Sequence, residues 1–340
     1  MFTINCLYNA VLFINNSYTV LFINQLLAYC AIINTMNMKA SSQSLFSETD
    51  GSSTIIHADA LAGMKALNDG SVNSIITSPP YWGLRAYTNG DTLEIGIEPK
   101  LNAYIDNITS IFHEASRILA DDGVLWLNIG DGFTSGGRKT RIPDNIASKN
   151  SARGKVYNRP DTPEGLKKKD MLGVPWRVAL ALQADGWYLR ADVIWHKPNQ
   201  MPTGNIYDRP QVDYEHVFML TKSLKYKYNI EEGYERSATG VGYRQGRSIW
   251  DIPTESKKTG HPAVMPVALA DKCIRLTTNE GDTVFDPFTG SGTTSIAALN
   301  LGRNFIGTEL SGDFVSIACN RIHDETGVDS TIEELNSDRK

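Results

Sequence analysis

Asp286-Pro287-Phe288-Thr289-Gly290-Ser291-Gly292-Thr293-Thr294 is the stretch on which the fold of this chain turns. It closes a β-branched, apolar run from Thr283 to Phe288 and opens a run from Thr293 to Asn300 that suits a helix. A strand that passes through glycines into a helix lets the main chain approach a ligand that a Cβ would exclude. No Gly-Lys-Ser/Thr follows, so this is not a phosphate-binding P-loop, and the spacing is not the GxGxxG of dinucleotide sites. It suits a nucleoside cofactor. On either side, Pro262 to Thr278 reads as a helix, Asn304 to Glu309 as a strand and Asp313 to Asp324 as a helix, giving a βαβα half-domain.

The other half lies far upstream. Thr54 to Asp59 reads as a short strand ending in an acid, and Val72 to Thr77 as a second, bounded by Gly70 and a proline pair that forbids helical continuation. From Ala103 to Leu119 the apolar residues Tyr104, Ile105, Ile108, Ile111, Phe112, Ala115, Ile118 and Leu119 recur at helical spacing. Asp121-Asp122-Gly123 ends that helix, and Val124 to Ile129 is a continuous apolar run, expected of a strand buried on both faces. Trp176 to Gln183 reads as a helix; Trp187 to His196 and Glu215 to Thr221 read as two strands. The alternation is α/β.

At the end of the second strand stands Thr77-Ser78-Pro79-Pro80-Tyr81-Trp82. A bare Ser-Pro-Pro-Tyr also serves as a structural turn. Paired with the later Gly-rich motif, it resembles the catalytic loop of amino-group DNA methyltransferases, the site-specific cytosine-N4 and adenine-N6 methylases. The order here, catalytic motif before cofactor motif, is the permuted β type. The resemblance covers roughly Thr54 to Asp324. It implies a Rossmann-like S-adenosylmethionine-dependent methyltransferase fold: a mostly parallel sheet, an antiparallel edge hairpin formed by the two later strands, and DNA-recognition insertions.

The resemblance also implies roles. An exocyclic amine is a weak nucleophile because its lone pair is delocalised into the ring. With one amine hydrogen held by the Ser78 hydroxyl and the other by the Pro79 carbonyl, that pair can localise toward a methyl donor, which is catalysis by positioning. Pro79 and Pro80 fix the carbonyl direction in advance. Tyr81 offers a stacking face to a base flipped out of the duplex, and Trp82 or Tyr87 would help to hold or replace it. Ser at the first motif position accompanies cytosine N4 in this family, Asp or Asn adenine N6, so Ser78 favours cytosine. Asp286, Phe288, Gly290, Ser291, Gly292, Thr293 and Thr294 would surround the methionine part of S-adenosylmethionine. Glu309 would accept from ribose hydroxyls, Asp59 would meet the adenine end and His261 would lie near the cofactor carboxylate, where a structural histidine is the competing reading. Asp131, Asp192 and His196 receive no role beyond lining the cleft.

The chain has 33 Lys and Arg against 38 Asp and Glu, a net charge of -5, which is unhelpful for phosphate binding unless it is unevenly spread. It is uneven. Residues 132–170 hold ten cations, among them Arg138, Lys139, Arg141, Lys167, Lys168 and Lys169, against four acids. Residues 222–258 hold eight cations, including Arg244 and Arg247, against five acids, interleaved with aromatics. Both are candidate DNA contacts, with a solvated loop as the competing reading for each alone. The four scattered cysteines suggest neither a disulfide framework nor a metal site and fit a reducing cytoplasm.

The first 38 residues carry no charge and are rich in Phe, Ile, Leu and Asn. Asn interrupts each apolar run before it reaches the roughly 20 residues of a membrane span. Upstream DNA translated from a misplaced start, with Met36 or Met38 as the true one, explains that composition better than a membrane helix. The expected divisions are a non-globular or mis-started segment (1–53), a catalytic half (54–131), a basic insertion (132–170), the sheet edge (171–221), a candidate target-recognition region (222–258), a cofactor-binding half (259–325) and a polar tail (326–340). The expectation is a cytosine-N4 DNA methyltransferase acting on double-stranded DNA, monomeric or homodimeric, in a restriction-modification or phage setting, with a cognate endonuclease as a candidate partner whose existence the sequence leaves open. Adenine N6 is the alternative; a protein or small-molecule amide methyltransferase is the rival that failure to bind DNA would revive.

Overall fold

The computed structural model describes residues 51–84, 93–134, 160–200, 206–237, 241–255 and 265–335. The uncharged N-terminal stretch, Tyr87, Arg138, Lys139, Arg141 and His261 lie outside the described residues. The elements in chain order are β1 (Ser53–His57), α1 (Ala60–Lys65), β2 (Val72–Thr77), α2 (Leu101–Ile118), β3 (Leu119–Ile129), α3 (Val174–Ala184), β4 (Tyr188–His196), β5 (Tyr214–Thr221), β6 (Tyr234–Arg236), β7 (Tyr243–Gln245), β8 (Ile249–Asp251), α4 (Val267–Thr277), β9 (Thr283–Asp286), α5 (Thr293–Asn300), β10 (Asn304–Glu309), α6 (Gly312–Thr326) and β11 (Thr331–Glu334).

Nine strands form one sheet in the order β11, β1, β10, β9, β2, β3, β5, β4, β8. Only β5 runs against its neighbours. Alternation along the central strands sends side chains to two cores. Ile75, Leu125, Leu127 and Phe218 pack under α1, α2 and α3, while Ile76, Val124, Trp126 and Val217 pack under α4, α5 and α6. The periodicity of α2 is spent on the first core: Tyr104, Ile108, Phe112, Ala115 and Ile118 are fully buried.

Three expectations need correction. The β4–β5 hairpin is not an edge, because β8, from the candidate recognition region, pairs with β4 and buries Trp250 against Trp126 at 5.7 Å between ring centroids. The polar tail supplies β11, which pairs with β1 as the opposite edge. β3 starts at Leu119, directly after α2; its register slips between Val72 and Ser74, and residues 120–123 form the irregularity. A Cβ on Gly123 would stand 2.6 Å from the Leu119 side chain and 2.9 Å from the Asn73 carbonyl, which is why a glycine occurs there.

β2 and β9 are neighbours from distant parts of the chain. The chain leaves β9 through α5 toward β10 and leaves β2 through α2 toward β3, so successive elements diverge from this point to opposite faces. Ligands of open α/β sheets bind in the crevice beyond the strand C-termini at such a switch point.

Candidate active site

That crevice is a cleft of about 1120 Å³. It is large for a ligand site, with room for a nucleoside beside a second ring system. Both sequence motifs line it: Ser78, Pro79, Pro80 and Tyr81 on one side, Asp286, Phe288, Gly290, Ser291, Thr293 and Thr294 on the other.

Asp286 ties the two sides together. Its Oδ1 accepts from Thr77 Oγ1 at 2.6 Å and from the Phe288 amide at 2.9 Å, and its Oδ2 accepts from Thr294 Oγ1 at 2.7 Å. Burial pushes the carboxyl up to about 6, against those hydrogen bonds, which favour the charged form. Gly290 and Gly292 sit at φ of 54° and 80°, the left-handed region that costs a side chain strain. Gly292 caps α5, and a Cβ there would press on Ile322 at 3.1 Å. Glu309 reaches across from β10: its Oε2 accepts from the Gly290 amide at 2.8 Å and its Oε1 from the Ser311 amide at 2.9 Å. Burial pushes this carboxyl up to about 7.

Arg321, on α6, is a residue that sequence reasoning missed. It is buried, and its Nη1 donates to the Ser291 carbonyl (3.1 Å), Ser291 Oγ (3.0 Å) and Thr293 Oγ1 (2.8 Å), while its Nε donates to Glu325. The Gly-rich turn is therefore clamped from α6, by a side chain that also lines the cleft. Two buried carboxylates offer acceptors and negative charge beside a close-approach glycine turn, which suits a cationic nucleoside, so the residues present fit S-adenosylmethionine.

On the catalytic side, Tyr104 Oη donates to the Pro80 carbonyl at 3.0 Å and fixes the proline pair from α2. Tyr81 Oη donates to Glu215 Oε2 at 2.8 Å, and Ser78 Oγ lies 3.5 Å from the Tyr81 oxygen. Glu215 also accepts from Asn128 Nδ2 at 3.1 Å and pairs with Lys197, whose ammonium sits 4.3 Å from the centre of the Trp195 ring. Burial, then the Glu215 charge, raises the Tyr81 phenol well above the ordinary tyrosine range. A Cβ on Gly130 would stand 2.9 Å from the Tyr81 ring, so glycine there makes the ring's seat. Glu215, Lys197, Asn128 and Tyr104 carry no local motif.

Other expected residues take structural places. Asp59 lines the cleft and also caps α1, accepting from the Ala62 amide at 3.0 Å. Trp82 is buried, with its indole donating to the Glu98 carbonyl at 2.9 Å, and so is an anchor and not a wedge facing a base. Asp131 lies outside the cleft and holds the start of α3 through the amides of Gly173 and Val174, each at 3.0 Å. Asp192 pairs with His216 at 2.9 Å and His196 with Asp251 at 2.6 Å, also away from the cleft.

Lys167, Lys168 and Lys169 are exposed. Lys169 holds a φ of 70° and pairs with Asp208 at 2.8 Å. Arg247 is exposed, whereas Arg244 lies 3.9 Å from Glu235 across the β6–β7 hairpin. Among the described residues, no helix is long and apolar enough to cross a membrane.

Comparison with known proteins agrees with this geometry. A family model described as DNA methylase, of the N6/N4 type, matches residues 72–320. The type II methyltransferase M.Cfr9I of Citrobacter freundii is 48% identical over 272 residues, covering 80% of this chain and 88% of the relative. M.SmaI of Serratia marcescens is 46% identical over 269 residues, covering 79% and 90%. Among solved structures, a putative DNA modification methylase of Thermus thermophilus, complexed with S-adenosyl-L-methionine, superposes with a TM-score of 0.59 at 23% identity over 84% of this chain and 100% of that one. PvuII DNA methyltransferase (cytosine-N4-specific) gives 0.58 at 19% identity over 85% and 97%. With a family match across both motifs and relatives of this identity over most of its length, the chain belongs to the N6/N4 DNA methylase family.

Proposed function

We propose that this DNA methyltransferase acts on the exocyclic N4 of a cytosine flipped out of duplex DNA, with S-adenosylmethionine as donor. The observation that carries the reading is the placement of Ser78. It directly follows the strand whose last residue, Thr77, is bonded to Asp286 of the cofactor motif, and both motifs share one cleft. When bound, S-adenosylmethionine supplies an electrophilic methyl group on a sulfonium.

The chain's residues do the rest by positioning. Ser78 Oγ and the Pro79 carbonyl accept the two amine hydrogens, with the proline pair fixed by Tyr104. Tyr81 presents its ring to the flipped base. Asp286, Phe288, the Gly290 to Thr294 turn and Glu309 hold the cofactor, with Asp59 at the adenine end. Lys167, Lys168 and Lys169, with Arg247 and Arg244, supply phosphate contacts, as do Arg138, Lys139 and Arg141 on sequence grounds. The cytoplasm is the compartment this activity requires.

The test is mass spectrometry of nucleosides from duplex DNA incubated with enzyme and methyl-labelled donor. Labelled N4-methylcytosine is the expected product. N6-methyladenine would overturn the base assignment, and label absent from DNA would overturn the substrate.

A further inference from the structure

We propose that Glu215 is a positioning residue that sets the direction of the hydrogen bonds at the catalytic motif and thereby presents Ser78 as an acceptor. The inference rests on the reading of Ser78 as an acceptor for the target amine. The Tyr81 phenol has one proton, and it is committed to Glu215 Oε2 at 2.8 Å. What the Tyr81 oxygen turns toward Ser78, 3.5 Å away, is therefore a lone pair. The Ser78 proton has its partner on that side, and the Ser78 lone pairs remain for the amine. The order is Ser78 to Tyr81 to Glu215, each hydroxyl donating to the next.

Lys197 and Asn128 make this direction specific to a carboxylate. Lys197 can only donate and takes Glu215 Oε1; Asn128 donates its amide to Oε2. In Glu215→Gln one oxygen cannot serve both sides; turned to the cationic Lys197, it leaves the amide group facing Tyr81 and Asn128, whose own amide must flip to offer its oxygen. The phenol then becomes the acceptor, its proton turns toward Ser78, and Ser78 loses a lone pair to it. The shape of the site is unchanged and its polarity is reversed. Glu215 ends no motif; it faces Tyr81 because β5 runs beside β3, opposite to the sheet.

The experiment combines Glu215→Gln, Tyr81→Phe and their double variant in the full chain with duplex DNA. One hydrogen bond to a charged group corresponds to ~10–100-fold in rate. Glu215→Gln is expected to lower kcat by about that factor with KM for DNA and cofactor affinity unchanged, and Tyr81→Phe by less than about 5-fold on the same scale. The double variant, with no phenol to reverse, is expected to regain the rate of Tyr81→Phe alone. Ultraviolet resonance Raman difference spectra against Tyr81→Phe read the phenol directly, without cofactor or substrate: a donor in the wild type, an acceptor in Glu215→Gln.

A double variant as slow as Glu215→Gln, or a phenol that stays a donor in Glu215→Gln, would overturn the inference. Ser78→Ala separates the two levels. If it methylates normally, the reading of Ser78 itself fails; if it is inactive while Glu215→Gln is normal, only the role of Glu215 fails.

Discussion

Thr77 Oγ1 donates to Asp286 Oδ1 at 2.6 Å, so the last residue of the catalytic strand holds the last residue of the cofactor strand. Both are buried. Thr77→Val keeps the shape and removes the donor, leaving a buried carboxylate short of one partner. Stability is expected to fall by about 1–3 kcal/mol, and cofactor affinity and kcat to fall together. Chemical denaturation and calorimetric titration check this; an unchanged cofactor affinity would sever the proposed link.

Asp286 and Glu309 are raised to about 6 and about 7, above the values near 4 at which these groups ionise in an unfolded chain. Between those limits the folded protein keeps protons that the unfolded one has released. By linkage, this contribution to stability is full below about pH 4 and is lost as pH rises through about 7. Melting temperatures without cofactor are expected to decline across that window, and Glu309→Gln to flatten the decline. A cationic cofactor favours the ionised carboxyls, so its affinity is expected to rise over the same range. Calorimetry near the upper end of that window, in buffers of different ionisation enthalpy, should register proton release.

Arg321 donates three hydrogen bonds to the Ser291 and Thr293 segment of the Gly-rich turn. Arg321→Met fills the space and orphans these acceptors. The expected result is a drop in cofactor affinity of tenfold or more, about 1.4 kcal/mol, with DNA affinity retained. Arg321→Lys is expected to rescue poorly, since a single ammonium cannot serve Glu325 and the turn from separate nitrogens as Nε and Nη1 do.

Gly307 on β10 faces the same turn, and a Cβ there would lie 2.2 Å from Thr289 Oγ1. Gly307→Ala is expected to displace Thr289 and destabilise the protein by about 1–3 kcal/mol, the range for an overpacked core. An unaltered melting temperature would contradict this packing.

Exposed Lys167 and Lys168 differ from Lys169, which already pairs with Asp208. Each phosphate contact contributes about 0.9 to the slope of log affinity against log salt. Lys167→Ala with Lys168→Ala is expected to lower that slope by up to about 2, and Lys169→Ala by less. Equal slopes for all variants would remove this turn from the DNA interface.

Strong local signals made much of the fold legible. Val72–Thr77 and Asn304–Glu309 are bounded as the sequence indicates, because glycine or proline punctuation and an acid at the strand end coincide with real boundaries. β8 and β11 are too short to display a period; they exist because a neighbouring strand offers a free edge. At the site, both motifs converge as their residues suggest. Glu215 and Lys197 were illegible because strand pairing, not spacing, brings them to Tyr81, 134 residues away from Glu215 in sequence. Asp131 misled for the opposite reason: an acid after a strand looks alike whether it meets a ligand or caps a helix.

The sheet also dictates an order of assembly. Ser52 meets Asn304 across 252 residues, and Thr77 meets Asp286 across 209. Contacts of such separation close late, since the intervening chain must first lose its freedom. During synthesis β1 emerges before every other described strand, yet its partners β10 and β11 emerge after all the others. Until then its apolar residues Ile55 and Ile56 have no sheet to enter, and they must be shielded by chaperones or by transient collapse. The earliest strand of the sheet is thus among the last to be paired, and a nascent chain stalled before Asn304 should be unable to bind cofactor however well its catalytic half has folded.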